Sequence, residues 1–167
     1  MYLDVFKSRV VDLNFGKRRK PASQQEIDSL ELKLEFSLPE AYKEFLLWGG
    51  KDPGEIWSGS VCAIAEVADI QDSAIELLDE NNFPLSLPNN AFVFLMHQGY
   101  QIMFFEISNE ENPPVYFYSE GQEDKHFQKL YDSFSECLIQ ELNFQLEVRE
   151  SLGEDLEKWL EAHQSEE

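Results

Sequence analysis

Three kinds of residue in this sequence could carry chemistry: the histidines, one glycine–lysine segment and the many carboxylates. The histidines, His97, His126 and His163, lie far apart, and they form neither an H-x-x-x-H pair nor a cysteine–histidine cluster. The D-x-D-x-D-G pattern of a calcium loop does not occur either. The sequence therefore predicts no metal and no cofactor, and we expect His97, beside a predicted turn, to be structural.

The segment WGGKDPG, residues 48–54, is similar to a phosphate-binding loop because Gly50 precedes Lys51. That loop requires a glycine five positions before Gly50, where Phe45 stands, and a hydroxyl residue after the lysine, where Asp52 stands. The segment is therefore excluded as a phosphate loop. The sequence also lacks the G-x-G-x-x-G pattern of dinucleotide binding and the G-x-S-x-G pattern of a nucleophile elbow.

Carboxylates are so abundant that pairs of them carry little information. A glycosidase needs two acids at a set separation, but a chain with 33 Asp and Glu residues brings some acids together by chance. We expect no catalysis, although an enzyme with an unrecognised site remains an open alternative, because catalytic residues need not form local motifs.

The balance of charge limits the possible partners. With 33 acidic and 13 basic residues, the net charge is −20, which repels nucleic acids and anionic membranes and attracts basic proteins. The alternative is that the acidic surface only keeps the protein in solution. Four of the basic residues form the cluster 17–20, for which a solvated loop is favoured over contact with phosphate or with the protein's own acids.

Length and composition favour one folded domain in the cytoplasm. The chain has 167 residues, of which 43% are hydrophobic and 13 are Phe, and this is enough to build a core. It has no run of 18 apolar residues, and charges interrupt its N-terminus, so we expect neither export nor membrane insertion. Cys62 and Cys137 lack paired spacing and are expected to be buried and reduced. We expect a monomer or a weak dimer.

Two helices joined by a tight corner are predicted in the first third of the chain. Ser23 and Glu26 have the S-x-x-E spacing of a capping box, so the first helix should begin near Ser23. Pro39 is expected to be the first residue of the second helix, and Gly49 is expected to end it with left-handed backbone angles.

Strands and further helices are predicted after this pair. We expect strand structure at Trp57 and over 61–67, a helix over about 69–82, a hairpin from Phe92 to Ile107 that turns at Gln98–Gly99, and a strand at 115–119. Because both faces of the hairpin are apolar, it should lie in the middle of the sheet beneath helices. A helix capped by Ser133 and Glu136 should follow, break at Gly153 and continue as a terminal helix with a frayed acidic end. That terminal helix would carry Leu156, Trp159 and Leu160.

These segments together resemble the SUKH superfamily, which includes the yeast Smi/Knr cell-wall regulators and many bacterial immunity proteins. The resemblance runs from about Ser23 to Leu142 and depends on three groups of residues. They are the helix pair (Ile27, Leu30, Leu38, Pro39, Tyr42, Phe45, Leu46, Gly50), the turn at Gly99, and Phe134 with Leu138. Glu106 follows Phe104 and Phe105 where many relatives carry an aspartate. The first twenty residues and the tail beyond Glu147 match no family pattern.

The resemblance implies a single α+β domain with an N-terminal helix pair and C-terminal helices packed on a mainly antiparallel sheet. We expect residues 1–22 to form an extension that packs on the domain, residues 23–147 the SUKH-like domain, and residues 148–167 an acidic helix or tail. The resemblance also implies a binding protein without catalysis. In bacteria, such a protein masks a toxin, frequently a nuclease.

Charge and resemblance lead to the same functional expectation. A nuclease is basic because it holds a polyanion, so an immunity protein gains from an acidic face. The alternative is an intracellular regulatory scaffold of the Smi/Knr type. We expect the partner surface to combine acids with exposed aromatic residues, in the loop after the helix pair (Asp52, Glu55, Trp57) and around the far end of the sheet (Glu106, Glu110, Glu111, Glu120, Glu123, Asp124). For each acid the alternative is a solvated surface charge, and for Trp57 it is a place in the core.

Overall fold

The fold is α+β, as predicted, in a computed structural model that describes the backbone of residues 1–163 and the side chains of residues 1–153. Within these residues, helices and strands follow in the order α1 (Asp4–Asp12), α2 (Gln24–Leu34), α3 (Glu40–Gly49), β1 (Ser60–Val61), α4 (Ile70–Glu80), β2 (Ala91–His97), β3 (Gln101–Glu106), β4 (Val115–Ser119), β5 (Gln128–Tyr131) and α5 (Phe134–His163). No helix in this part of the chain has both the length and the apolar character needed to span a membrane.

The sheet is antiparallel throughout, with the strand order β1-β2-β3-β4-β5. The predicted hairpin of β2 and β3 occupies its centre. Gln98 and Gly99 both have positive φ angles, and the Tyr100 N–H donates to the His97 carbonyl at 3.1 Å, which closes the turn between the two strands. The position and the turn of this hairpin are therefore confirmed.

One face of the sheet is covered by α3 and α5. Phe105 of β3 packs against Tyr42 of α3 with ring centroids 5.4 Å apart, and Tyr42 packs at the same distance against Phe134 of α5. All three side chains are buried. This aromatic cluster fixes α5 against the sheet and so determines which side of that helix faces outward.

The opposite face is covered by α4 and the segment that follows it. Phe104, the neighbour of Phe105, points to this face because side chains alternate along a strand. It packs edge-on against Phe127 at 5.1 Å, and Phe127 packs against Phe83 at 5.2 Å. Burial on both faces explains why the central strands are apolar at nearly every position.

The N-terminal extension contributes a helix, α1, that the sequence analysis did not predict. Its Phe6 and Val10 are buried, as is Leu3 just before it, and the Phe6 ring meets Trp48 of α3 at 5.0 Å. These residues are part of the core, although they lie outside the resemblance to the family.

The ends of helices α2 and α3 agree only in part with the ends predicted from the sequence. The capping box at Ser23 and Glu26 is present, as predicted. Pro39 is the residue before α3 and not its first helical residue. Gly49 stays helical instead of turning left-handed, and Gly50 follows with φ −65°. Gly50 meets a steric need, since a Cβ there would lie 2.6 Å from the Leu46 carbonyl oxygen.

Three predictions of extended structure or helix ends are wrong or incomplete. The strand expected over 61–67 is limited to Ser60–Val61, because the chain then turns and the Val67 N–H donates to the Ala63 carbonyl at 3.1 Å. The short strand β5 was not predicted. Helix α5 continues through Gly153, because one glycine weakens a helix by only about 1 kcal/mol and does not end it.

The start of α5 shows half of the predicted capping box. The Ser133 hydroxyl accepts the Glu136 N–H at 3.2 Å, but the Glu136 carboxylate accepts the N–H of Asp132 at 3.0 Å in place of that of Ser133. The side chains of Leu156, Trp159 and Leu160, and the predicted frayed end after His163, lie outside the described residues.

Candidate partner-binding surface

Two of the predicted site residues, Asp52 and Glu55, bind the basic cluster of the chain itself. Residues 20 and 52 form a β-bridge, and their side chains approach to 4.0 Å. Glu55 Oε2 accepts the Gly16 N–H at 2.8 Å, and its Oε1 lies 3.6 Å from the Arg18 guanidinium. The basic cluster is therefore a loop that contacts the protein's own acids, and these two carboxylates attach the N-terminal extension.

The exposure expected for Trp57 is wrong. Its side chain is only 5% exposed, and its ring packs against Phe45 at 5.2 Å and Phe94 at 5.6 Å. Trp57 also has a positive φ of 54°, so the chain turns sharply there and directs the ring into the core. The core alternative is therefore correct for this residue.

Two of the predicted acids, Glu110 and Glu111, lie beside the start of α3, and a third, Glu106, lies at the end of β3. The Glu111 carbonyl accepts the Ala41 N–H at 2.8 Å, and the Glu111 carboxylate accepts a hydrogen bond from the Tyr2 hydroxyl. This hydrogen bond raises the pKa of Tyr2. Glu106 accepts from the Asn90 amide at 3.3 Å, and Glu110 is exposed.

The remaining three acids form what we call the acidic turn: Glu120, Glu123 and Asp124. All three are exposed, in a loop that also carries Lys125 and His126. The turn lies beyond the end of β4, whereas Glu111 lies before its start, so about 13 Å of strand separates the two groups. The expectation that all six acids cluster at one end of the sheet is wrong, because one group precedes β4, the other follows it, and the strand carries the chain from one end of the sheet to the other.

A groove of about 230 Å³, here called the α5 groove, lies between α5 and the sheet. Its sheet wall consists of Leu95, His97, Gln101, Met103 and Phe117. Its other walls are Trp57 and Ser58 from the loop before β1, Ser60 of β1, and Glu141, Phe144 and Gln145 from α5. Polar and apolar residues both line the groove, but most of its surface is apolar, and Glu141 supplies one carboxylate on the helix side.

Glu141 is held in a fixed position in this groove. Its Oε1 accepts the backbone N–H of Trp57 at 3.1 Å and the side-chain amide of Gln145 at 2.7 Å. Because residue 57 lies 84 positions away in the chain, no local sequence pattern predicts this contact. One carboxylate oxygen is thereby occupied by two donors, which orients the other.

The acidic turn borders the α5 groove. The Glu120 N–H donates to the Tyr100 carbonyl at 2.8 Å, and the Tyr100 ring packs edge-on against His97 at 5.8 Å. Gln101, which lines the groove, donates to Ser119 at 3.3 Å. Glu120, the first residue of the acidic turn, therefore lies at the end of the sheet that carries the groove residues His97 and Gln101.

A row of exposed apolar side chains leads away from the groove along α5. Phe144, Val148 and Leu152 are 56%, 37% and 65% exposed and follow each other at intervals of four residues. The sequence analysis used only the buried stripe of this helix and missed this second row, which its spacing could have revealed. It extends the apolar surface of the groove.

A serine–histidine contact in the groove does not form a catalytic triad. Ser60 Oγ lies 2.9 Å from His97 Nδ1. A triad requires a third group that orients the histidine, and among the described residues no carboxylate bonds to His97. In the same part of the chain, no three His, Cys, Asp or Glu side chains form a potential metal site.

A second cavity, of about 640 Å³, lies between α1 and α3. Its charged groups already have partners within the protein. Lys7 lies 3.4 Å from Glu44, and Arg19 donates to the Gly16 carbonyl at 3.0 Å and lies over the Trp48 ring. The α5 groove, with its partly unused carboxylate, is the better candidate for a partner.

The sequence model of the SMI1 / KNR4 family (SUKH-1) matches residues 21–140. The chain belongs to this family. The family includes toxin-immunity proteins and SMI1/KNR4 regulators, its members bind partner proteins, and they are generally non-catalytic. A comparison with curated proteins finds no match.

The SUKH-1 match covers only part of the structure. The match begins after α1 and ends within α5, one residue before Glu141. The sheet wall of the α5 groove is therefore family structure, while the side chains that α5 contributes lie beyond the matched region.

Proposed function

We propose that this protein is a cytoplasmic, non-catalytic immunity protein that neutralises a basic toxin, such as a nuclease, by stoichiometric binding. The observation that carries the proposal is the acidic turn beside the apolar α5 groove, in a chain with a net charge of −20. Membership of SUKH-1, which includes immunity proteins, supports the same function.

The two parts of this surface have different roles in binding. The carboxylates of the acidic turn attract a basic partner, which raises the association rate. The groove and the apolar row on α5 supply contacts that exclude water and so slow dissociation. A nuclease held in this way would lose access to its polyanionic substrate.

A regulatory scaffold is the second candidate function. The family model that matches the chain also includes the SMI1/KNR4 regulators, and an exposed apolar row on a helix suits a signalling partner equally well. A scaffold would not require a basic partner, so the dependence of binding on salt distinguishes the two functions.

The test uses a toxin domain encoded next to this gene, with binding kinetics measured between about 50 and 500 mM salt. We expect the association rate to fall steeply with salt. The triple variant Glu120→Gln, Glu123→Gln, Asp124→Asn should associate several-fold more slowly and with weaker salt dependence.

The control is Glu106→Gln, Glu110→Gln, Glu111→Gln, which removes the same charge at the opposite end of β4. It should change the association rate much less. Equal effects of the two triple variants would contradict the assigned surface. Salt-independent binding, or a locus without any toxin gene, would favour the scaffold.

A further inference from the structure

We propose that the α5 groove receives one arginine side chain of the partner protein, with its guanidinium bound by Glu141. The inference rests on the proposed binding function and specifies its contact. It follows from the placement of Glu141, the aromatic walls and the size of the groove.

Glu141 has one carboxylate oxygen available. Oε1 accepts hydrogen bonds from Trp57 N–H and Gln145 Nε2, whereas Oε2 has no hydrogen-bond or ion-pair partner among the described residues. The side chain is partly buried, and a partly desolvated carboxylate gains from a cation that binds its free oxygen. The two donors at Oε1 keep that oxygen in place before the partner arrives.

The walls around this carboxylate favour arginine. Phe144 is half exposed at the rim and Phe117 lies on the sheet side, and a guanidinium stacks well on aromatic faces. Leu95 and Met103 offer an apolar surface for the methylene stem. A lysine ammonium would form the ion pair but would lose the planar stacking.

The size and charge of the groove limit the other occupants. At about 230 Å³ it is smaller than typical small-molecule sites of roughly 300–1,000 Å³, and it suits one side chain. The neighbouring acidic turn, with three acids and Lys125, disfavours an acidic segment. A basic side chain from a cationic partner satisfies both limits.

The experiment is an NMR titration of the full chain with N-acetyl-arginine amide. The matched probe is N-acetyl-citrulline amide, which has the same shape but no charge. We expect the arginine probe to shift the Trp57 backbone N–H and the Gln145 side-chain amide, both of which donate to Glu141, and the citrulline probe to bind about tenfold more weakly.

Three variants locate the contact. Glu141→Gln, which keeps an acceptor for Trp57, should weaken arginine binding about tenfold. Glu147→Gln removes the same charge from an exposed site on the same helix and should change it less than about twofold. Phe144→Ala removes an exposed wall, is not expected to affect folding, and should weaken binding about threefold.

The proposal is overturned by equal shifts with both probes, by shifts confined to the acidic turn, by no shifts, or by an unchanged affinity in Glu141→Gln. Its failure is distinguishable from that of the proposed function. If a toxin binds the intact protein but the arginine probe does not bind in the groove, only the proposed arginine contact is contradicted. Arginine binding without any toxin partner contradicts only the immunity function.

Discussion

Glu44 of α3 caps the start of α1 at Leu3. Its Oε2 accepts the Leu3 N–H at 3.2 Å, and its Oε1 accepts the Tyr2 N–H at 2.9 Å. Leu3 is the residue before α1 and has no side chain that could cap the helix itself. The negative charge also favours the positive end of the helix dipole. A residue inside the family-matched region thus fixes an element outside it.

Replacing Glu44 should therefore loosen α1. We expect Glu44→Ala to lower the free energy of unfolding by about 1–2 kcal/mol, because two backbone donors lose their acceptor. Urea denaturation measures the loss, and hydrogen exchange should increase over residues 4–12. Glu76→Ala, at an exposed position in the interior of α4, is the control and should have little effect. Unchanged exchange in α1 would contradict the capping role.

Alanine at two glycines should have opposite effects. Gly50→Ala places a Cβ 2.6 Å from the Leu46 carbonyl oxygen and 2.8 Å from the Leu46 Cα, so we expect a loss of about 2–3 kcal/mol. Gly153→Ala adds a Cβ in open space within α5 and should stabilise the helix by up to about 1 kcal/mol. Thermal denaturation of both variants is the measurement. A destabilising Gly153→Ala would argue against a continuous helix there.

The two cysteines should be inert in the folded protein. Both are buried and free, and burial raises the pKa of the Cys62 thiol to about 12 and that of Cys137 well above its ordinary value. We expect a thiol reagent near pH 8 to label neither cysteine in the native protein and both in urea. Rapid labelling of the native protein would contradict the burial.

The same burial predicts a loss of stability in alkali. Above pH about 9 the thiols ionise in the unfolded chain, while Cys62 keeps its proton in the native state until about pH 12. The unfolded state then binds fewer protons, so stability is complete below pH 9 and falls as the pH rises toward 12. Urea denaturation at several pH values measures this slope, which should be shallower in Cys62→Ala. An equal slope in Cys62→Ala and the unmodified protein would show that ionisation of Cys62 does not cause the loss of stability.

The capping box at the start of α2 should lower the pKa at which Glu26 titrates. Its carboxylate accepts the Ser23 N–H at 2.8 Å and lies 3.0 Å from Lys51. The Ser23 backbone hydrogen bond, followed by the contact with Lys51, lowers the pKa of Glu26 to about 2. The Glu26 carboxylate therefore keeps its charge until the pH falls to about 2, and the stability that it contributes is complete above pH about 4.5 and is lost as the pH falls through about 2.

Carbon-detected NMR of the Glu26 carboxyl group measures this titration. In Lys51→Met the midpoint should rise but stay below the ordinary value, because the Ser23 hydrogen bond remains. A midpoint near 4.5 in the unmodified protein would contradict the capping box in solution.

Predictions that depended on near neighbours in the sequence were mostly correct. Ser23 and Glu26 are three residues apart, and the turn at Gln98–Gly99 needs only adjacent residues with positive φ angles. The errors at Gly49 and Gly153 have a common cause. A glycine permits several backbone conformations, and its surroundings select one of them.

The candidate site was much less predictable. Asp52 and Glu55 were expected at a partner surface, but contacts with residues 16–20 occupy them. Trp57 was expected at the surface and lies in the core. Glu141 was not considered at all, because its position depends on the Trp57 backbone 84 residues away.

Composition and patterns over a few residues were enough to predict the acidic charge, the helix pair, the central hairpin, the α+β class and the family. Which carboxylates are neutralised within the protein, and which one remains available in an apolar groove, became known only from the folded arrangement of the chain. The physical reason is that charges and hydrogen bonds act over a few ångströms in space. Only folding sets those distances between residues far apart in the chain.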